Sequence, residues 1–516
     1  MLRTLLALTA VLALSPVLGA APQPNLLANP GFEQAAAESV ASWTNPDYWS
    51  GKLTSTAQPG EFVEGRRAAR LEATEKAGRI WGRMHSAVTA VSPGLNYEFS
   101  LSAKGGGGLK LGIIYYIPKV GDAPPYRTAW QEAATALTPE WQQVTLGVGP
   151  IEPDVLRVAV MVEVEGEGAV AFVDDARLSV RAQTEGTLTA SPGYLMCAVG
   201  QAVTVGVEAI AQGAPMASGL LTAAEASEGQ SRVQQLTLGV DGKASYAVPA
   251  ETVGKPGLIT LTFAQAELGS AATAYVEVVD RETYARFAQA AAAAKIPERP
   301  AHLLFLGDSL TDFLRGHNYV DQVGFWLQQA LGEGIGVRNA GVGGDYITRV
   351  WDRLNRDPKV HRLAAYDGLY DPRPTRVFIF LGHNDSKQTS GSGFTESVVP
   401  PEDFDRLYRQ TIEKVKGETG SQVTLISSTS SVYEITEPIA RRLLEQRGSA
   451  SLFGRPETLE RFNAIARKVA EDLGCGYIDV YEPTKTHPDK RSLFTEDGVH
   501  VASVAQEVLI RRRRDG

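Results

Sequence analysis

The pattern of apolar and polar residues divides the chain into two β-rich stretches followed by a stretch in which strands and helices alternate. Between residues 25 and 182, short runs of alternating character, such as LNYEFSLSAK (95–104), predict half-buried strands at short intervals. Similar runs, among them QAVTVGVEAI (201–210), continue over residues 187–280. We therefore expect a β-sandwich jelly roll over 25–182 and an immunoglobulin-like β-sandwich, acting as a spacer, over 187–280.

The pattern changes after an Ala-rich helical segment at 281–300, which we interpret as a linker. From 301 to 516, apolar strand-like runs alternate with amphipathic helical runs, beginning with HLLFLG and ending with CGYIDV. This order predicts an α/β domain with a five-stranded parallel sheet and helices on both faces. Ligands bind at the carboxyl ends of strands in such sheets, so the residues after each strand are the first candidates for a site.

Four of these positions carry groups suited to acyl transfer. Ser309 follows the first strand, and a serine hydroxyl needs a neighbouring base to act as a nucleophile. His500 is the candidate base, and Asp497, three residues earlier, is the candidate acceptor that orients its ring. The tetrahedral intermediate needs hydrogen-bond donors, for which the sequence offers the N–H groups of Ser309 and Gly344 and the amide of Asn384.

Charge and composition exclude some classes of protein. The chain has 516 residues and a net charge of −9, and its only basic run lies at 511–514, which argues against a nucleic-acid-binding protein. The first twenty residues combine a basic start, a short apolar core and small residues near 20, as in a signal peptide. We therefore expect a secreted or periplasmic protein with a signal peptide over 1–20 and no membrane span. Cys197 and Cys475 are far apart, and we expect both to be buried and free.

The four blocks GDSL, NAGVGGD, GHND and DGVH occur in this order in the SGNH hydrolases, also called the GDSL esterase/lipase family, which residues 300–510 resemble. The resemblance implies a flavodoxin-like three-layer fold, a Ser-His-Asp triad and catalysis without a cofactor. GHND is similar to the block found in rhamnogalacturonan acetylesterases, which favours an acetylated sugar. His383 in that block and His317 soon after the nucleophile are candidate residues of the substrate pocket. Val501 departs from the family, because many members have Pro after the catalytic histidine.

The two ends of the first β-rich segment carry a second resemblance. NLLANPGFEQ (25–34), followed by Trp43, and AFVDDARLSV (171–180) are similar to the opening and closing strands of jelly-roll carbohydrate-binding modules of the galactose-binding-like superfamily. The resemblance implies sugar binding on surface aromatic side chains, since the C–H faces of pyranose rings are apolar. The candidates for stacking are Trp49, Trp81 and Trp130, although most aromatic residues of a β-sandwich belong to its core.

The same resemblance implies a structural calcium ion in the N-terminal domain. Glu33 and Asp175 are the carboxylates at the matching positions, and carboxylate oxygens suit this hard cation. The alternative, to which we give equal weight, is that both residues are ordinary carboxylates of a turn or a strand edge that bind no metal.

The sequence thus predicts a secreted serine esterase that hydrolyses short-chain esters, acetyl esters above all, on a polysaccharide or an acylated small molecule. Two alternatives stay open. A lipase, thioesterase or O-acyltransferase could use the same site, and a chain with an inactive hydrolase domain could be a non-catalytic carbohydrate-binding protein.

Overall fold

The computed structural model describes residues 24–502 apart from 37–38, 47, 118–124, 153, 228–229, 295, 297–299 and 333. The expected signal peptide and the C-terminal basic run lie outside these residues. The chain forms two compact units. The first contains the residues up to Ala190 with 206–246 and 261–273, and the second contains 191–205, 247–260 and the residues from Ala274 onward. The domain boundaries given above stay a prediction.

The N-terminal part of the first unit is an antiparallel β structure. Its strands are Ala35–Ala36, Ser39–Val40, Trp43–Thr44, Lys52–Thr56, Ala68–Glu72, Thr74–Lys76, Arg79–Ser86, Thr89–Ala90, Tyr97–Tyr116, Tyr126–Trp130, Thr135–Ala136, Gln142–Val148 and Arg157–Val180. Alternate side chains from several of these strands, such as Phe99, Leu101 and Val160, are buried in one apolar core.

Two strands of this core are much longer than the sequence pattern predicts. The runs at 95–104 and 109–117 form the single strand Tyr97–Tyr116, which pairs with the 24-residue strand Arg157–Val180. The glycines between the two runs bend the strand instead of ending it, with a register shift opposite them between Glu165 and Val170. A Cβ on Gly105 would lie 1.9 Å from the carbonyl oxygen of Val170, so this close pairing requires glycine.

The second β-rich segment continues with shorter strands. They are Gly186–Ser191, Tyr194–Ala198, Val203–Ala211, Ala214–Pro215, Leu220–Ser227, Gln230–Thr237, Lys243–Val248, Gly257–Gln265 and Ser270–Val279. Leu220–Ser227 pairs antiparallel with Gln230–Thr237 in the first unit, whereas Tyr194–Ala198 pairs parallel with 275–279 in the second.

Both cysteines are free as expected, although only Cys197 is buried and Cys475 is partly exposed.

The part of the second unit from residue 301 onward contains the predicted parallel sheet. Its strands are β1 (Ala301–Gly307), β2 (Ile335–Gly341), β3 (Arg376–Phe380), β4 (Gln422–Ile426) and β5 (Gly476–Ile478). They lie in the order β2-β1-β3-β4-β5, and every neighbouring pair is parallel. This is the flavodoxin-like order, in which the first three strands lie side by side. The predicted multidomain fold class, with β-rich segments followed by a three-layer α/β domain, is confirmed.

Helices follow the strands as the pattern predicts, with one long helix and three short ones in addition. They are α1 (Arg281–Ala292), α2 (Ser309–Asp312), α3 (Tyr319–Leu331), α4 (Ile347–Leu354), α5 (His383–Ser386), α6 (Pro401–Thr419), α7 (Tyr433–Arg447), α8 (Pro456–Asp472) and α9 (Tyr481–Lys485). The sequence pattern does not predict α7, which contains Pro438. Short 3₁₀ turns at 252–254, 363–366, 390–392 and 490–493 and the two-stranded pair Gln388–Thr389 and Ser451–Leu452 complete the elements.

Both faces of the parallel sheet are buried. Val377 and Ile379 of β3 pack into an apolar cluster on one face, and Phe378 and Phe380 pack into a different cluster on the other. Because the side chains of a strand alternate between its faces, helices must cover both sides of the sheet. The strand ends at the edge of the sheet are therefore where polar groups can reach solvent.

Buried ionisable groups fix the loops that leave this edge. Asp345, after β2, forms an ion pair with Arg353 on α4, and both side chains are fully buried. Arg353 also donates hydrogen bonds to the carbonyl oxygens of His361 and Arg362. Asp385 on α5 accepts one hydrogen bond from the N–H of Gly382 in its own loop and one from the N–H of Ile347 at the start of α4. The buried ion pair and these hydrogen bonds restrain the loop that carries Asp345.

Removal of the Arg353 charge is expected to destabilise the α/β part of the chain. The variant Arg353→Met leaves the carboxylate of Asp345 buried without a partner, so the free energy of unfolding should fall by about 3–5 kcal/mol. Urea unfolding followed by fluorescence measures this loss. The matched control is Arg406→Met, since the exposed pair of Arg406 with Asp403 contributes about 0–1 kcal/mol. Equal losses in the two variants would contradict the structural role of the buried pair.

The pH dependence of stability should report on Asp385. Its carboxylate accepts bonds from the N–H groups of Ile347 at 2.7 Å and Gly382 at 3.0 Å, but burial outweighs these bonds and raises its pKa to about 7. A folded-state pKa above the unfolded value means that this group stabilises the fold at low pH. That contribution is lost as the pH rises from about 4 to about 7.

The variant Asp385→Asn cannot ionise, so it should lose less stability than the wild type when the pH is raised across this window. Urea midpoints at several pH values measure the difference, with the exposed Asp371→Asn as the control. Parallel curves for wild type and Asp385→Asn would show that the carboxyl does not titrate in this range.

Candidate active site

Ser309 is the first residue of α2 and follows β1 after one intervening residue. Gly307 allows this turn, because a Cβ there would lie 2.2 Å from Oγ1 of Thr311. Asp308 caps the short helix by accepting a hydrogen bond from the N–H of Leu310 at 2.8 Å. Ser309 itself is half-buried, and its N–H has no acceptor among the described residues. Both its hydroxyl and its N–H are therefore available at the edge of the sheet.

His500 and Asp497 form a hydrogen-bonded pair within one loop. Nδ1 of His500 lies 2.6 Å from Oδ2 of Asp497, whose other oxygen accepts bonds from the N–H groups of Val499 and His500 and from the hydroxyl of Thr495. Burial alone raises the pKa of Asp497, but these bonds outweigh it and hold that pKa well below its usual range. With Nδ1 donating to a carboxylate, neutral His500 presents an unprotonated Nε2, as a general base requires.

Phe313 lies against the ring of His500. The two ring centroids are 4.7 Å apart with their planes tilted by 36°, and Phe313 is 40% exposed. The residue follows directly after α2, so the segment that begins with Ser309 also contacts the histidine. The sequence pattern gave no sign of this contact, because an apolar residue after a helix is ordinary.

The candidate oxyanion donors lie at the ends of three neighbouring strands. Ser309 follows β1, Gly344 follows β2 with a φ of +80°, and Asn384 follows β3. A Cβ on Gly343 would lie 4.0 Å from Cβ of Ser309, which places the β2 loop beside the serine. The N–H of Gly343 is taken by Asp312 at 3.0 Å, whereas the N–H of Gly344 has no acceptor in the described part of the chain.

The amide of Asn384 is buried and directed by a carboxylate. Its Nδ2 donates to Oδ2 of Asp308 at 3.2 Å, which links the β3 loop to the residue before Ser309. Burial raises the pKa of Asp308 to about 6 even though it accepts bonds from Leu310 and Asn384. This contact orients Asn384 and leaves one of its two amide hydrogens without a described acceptor.

The two candidate pocket histidines have different surroundings. His383 is buried, with Nε2 at 2.9 Å from Oγ of Ser431, and burial lowers its pKa to about 4. His317 is half-buried and its ring lies 4.6 Å from that of Tyr275, with a pKa that burial lowers. Their place in a substrate pocket stays a prediction.

The candidate calcium residues lie at one loop of the N-terminal β structure. Oε1 of Glu33 accepts bonds from the N–H groups of Arg66 and Arg67 at 2.7 and 3.1 Å. Asp175 is exposed, whereas its neighbour Asp174 is buried and accepts bonds from the same loop, at Val63 and Glu64.

In these contacts carboxylate oxygens accept hydrogen bonds from N–H groups, which tie down the loop at 63–67. Within the described residues, no cluster of three or more His, Cys, Asp and Glu side chains could hold a metal ion. Calcium at Glu33 and Asp175 stays a prediction.

Comparison with known proteins agrees with this geometry. Residues 305–507 match the model of the GDSL-like lipase/acylhydrolase family. Among solved structures, the chain is similar to a lipase/acylhydrolase from Enterococcus faecalis, with 22% identity, a TM-score of 0.30, and coverage of 41% of this chain and 91% of that one. No curated protein matches the sequence.

Two further structures are similar to another part of the chain. One is the carbohydrate-binding module TmCBM61 in complex with β-1,4-galactotriose, with 21% identity, a TM-score of 0.23, and coverage of 31% of this chain and 99% of that one. The other is the CBM22-1 xylan-binding domain of Paenibacillus barcinonensis Xyn10C, with 16% identity, a TM-score of 0.23, and coverage of 29% and 90%.

No helix in the described residues is long and apolar enough to cross a membrane. The family match covers the strand ends at which Ser309, Gly344 and Asn384 lie and the later loop that carries His500. Residues 305–507 therefore match a GDSL-like lipase/acylhydrolase domain.

Proposed function

We propose that this protein is a secreted serine esterase that removes short acyl groups, acetyl above all, from a polysaccharide. The observation that carries the proposal is the 2.6 Å contact of His500 with Asp497. The same domain contains Ser309, which is half-buried at the edge of the sheet. Secretion rests on the signal-peptide pattern of residues 1–20.

In the proposed reaction, Oγ of Ser309 attacks the ester carbonyl while Nε2 of His500 takes its proton. The carboxylate of Asp497 stabilises the imidazolium that forms. The negative charge on the carbonyl oxygen is met by the N–H groups of Ser309 and Gly344 and by Nδ2 of Asn384.

His500 then gives its proton to the departing alcohol, which leaves an acyl group on Ser309. A water molecule, deprotonated by His500, attacks this acyl group and releases the acid with Ser309 restored. Each step uses only protein side chains and water, so the chemistry needs no metal or organic cofactor.

The surface of the hydrolase domain favours a short acyl group over a long one. Among the described residues from 301 onward, Phe313 is the one strongly exposed large hydrophobic side chain. A lipase that holds a long acyl chain needs an extended apolar surface. An O-acyltransferase would use the same groups and differ only in its acceptor, so product analysis with a sugar acceptor separates it from an esterase.

A cluster of indole rings supports a polysaccharide as the partner. The guanidinium of Arg83 lies 5.0, 4.7 and 4.6 Å from the ring centroids of Trp49, Trp81 and Trp130. All three rings are partly exposed, and Trp130 lies over Gly112, where a Cβ would be 2.5 Å from the indole. Glu163 pairs with Arg83, so the cluster presents apolar ring faces with little net charge.

Substitution of the nucleophile tests the mechanism. Ser309→Ala should lower kcat on 4-nitrophenyl acetate by about a thousandfold or more, because no other group supplies the acyl acceptor. Initial rates of 4-nitrophenol release measure this loss. The control is Ser449→Ala, which changes an exposed serine at the end of α7. Wild-type turnover by Ser309→Ala would rule out the proposed mechanism.

Substitution of one tryptophan tests whether the partner is a polysaccharide. Trp130→Ala should weaken binding to insoluble acetylated xylan by about 2- to 13-fold, the loss of one aromatic stacking contact of roughly 0.5–1.5 kcal/mol. Depletion of the protein from solution measures the affinity. Trp141→Ala is the control, since Trp141 lies beside Lys104 instead of Arg83. Equal binding of wild type and Trp130→Ala, or no binding by wild type to xylan, galactan and pectin, would contradict the proposal.

A further inference from the structure

Two cationic side chains contact acceptor oxygens of the candidate oxyanion residues. Nη1 of Arg349 donates to the carbonyl oxygen of Gly344 at 3.3 Å, and Nζ of Lys387 donates to Oδ1 of Asn384 at 3.3 Å. The sequence pattern identifies neither cation as a candidate, because Arg349 follows the NAGVGGD block and Lys387 follows the GHND block.

Aromatic rings hold both cations in place. The guanidinium of Arg349 lies 4.7 Å from the ring centroid of Tyr346, and Nζ of Lys387 lies 5.3 Å from that of Phe453. Cation–π contacts of this kind fix the position of a charge without neutralising it. Both side chains are half-buried, so their positive charges are only partly screened by water.

Arg349 lies within electrostatic range of the buried Asp345 carboxyl, but neither cation forms an ion pair in the described part of the chain. Other arginines of the domain do, as Arg315 pairs with Asp312 and Arg409 pairs with Asp405. Arg349 has five N–H donors and Lys387 has three, and each uses one of them in a hydrogen bond to a described residue. Most of their donors are therefore available to a ligand.

The two charges also affect one another. Burial lowers the pKa of Lys387, and the positive charge of Arg349 lowers it further, so the two groups lie within electrostatic range. The acidic groups that act on Lys387 are the buried carboxyls of Asp385 and Asp308, which burial keeps partly protonated near neutral pH. A half-buried pair of like charges is costly unless an anion joins it.

We propose that Arg349 and Lys387 form an anion subsite beside the oxyanion hole, so that the preferred substrate carries a carboxylate close to its scissile ester. The inference rests on the proposed function and adds the charge class of its substrate. A planar carboxylate can accept two parallel bonds from a guanidinium and a third from an ammonium group. Acylated uronic acid units of a glycan and small acidic esters share this chemistry.

The experiment compares each acidic ester with an uncharged partner of the same shape. One pair is O-acetylated galacturonic acid and its uronamide, and the other is 4-carboxyphenyl acetate and 4-carbamoylphenyl acetate. The measured quantity is the ratio of kcat/KM for acid over amide, obtained from acetate release. One charged hydrogen-bonded contact changes affinity by about 10- to 100-fold, so the wild-type ratio should be about 10 or more in at least one pair.

The double variant Arg349→Gln/Lys387→Gln should bring this ratio to about 1–3. Arg349→Lys keeps the charge and should keep most of the preference, and the exposed Arg461→Gln on α8 is the control that should leave the ratio unchanged. Circular dichroism verifies that each variant is folded. A ratio, unlike a rate, is insensitive to a general loss of activity caused by disturbance of Gly344 or Asn384.

The outcomes distinguish an acidic glycan from a small acidic ester. They also distinguish failure of the anion subsite from failure of the proposed esterase activity. A preference for the acidic sugar indicates an acidic glycan, and a preference confined to the aryl pair indicates a small acidic ester. A wild-type ratio near 1 in both pairs, or a ratio unchanged in the double variant, overturns the anion subsite while Ser309-dependent acetate release upholds the esterase. Absence of Ser309-dependent release from every ester overturns both.

Discussion

The buried carboxyl groups of three aspartates tie together the loops on which the rest of the site depends. Asp308, after β1, accepts a bond from Asn384, after β3. Asp385, after β3, accepts one from the N–H of Ile347, where the helix after β2 begins. Asp345, after β2, is held within its own loop by a buried ion pair. Three strand ends that are distant in sequence are thereby cross-linked at one edge of the sheet, by groups that are costly to bury without partners.

Each proposed oxyanion donor is the direct chain neighbour of one of these aspartates. Ser309 follows Asp308, Gly344 precedes Asp345, and Asn384 precedes Asp385. Donors that stabilise a transition state are most effective when they are already in position before the reaction begins. A fixed carboxyl beside each donor supplies this rigidity, since the backbone at the donor cannot move without breaking a buried bond. The aspartates thus act on the reaction through position instead of proton transfer.

The sequence allowed the parallel sheet and the motif-bearing strand ends to be predicted, because apolar runs and short motifs are local. Features that depend on distant partners could not be predicted. The glycines at 105–108 are typical of a loop, and pairing with the strand 157–180 and with residues 136–138 keeps them within a strand. Pro438 obscures a helix that tertiary packing sustains. Phe313, Arg349 and Lys387 have ordinary identities for surface positions, and their contacts with motif residues exist only in the folded domain.

The proposed base is held differently from the proposed nucleophile. Ser309 lies just after the end of a buried strand, whereas His500 lies on a loop, where its ring contacts the carboxylate of Asp497 and the ring of Phe313. The bonds to Asp497 come from within three residues and fix the tautomer of the ring, but local bonds alone cannot fix the ring relative to the serine. Phe313 supplies that second constraint, because it belongs to the segment that starts at Ser309. The position of the base therefore depends on a side chain from the nucleophile's own segment, which couples the two halves of the reaction.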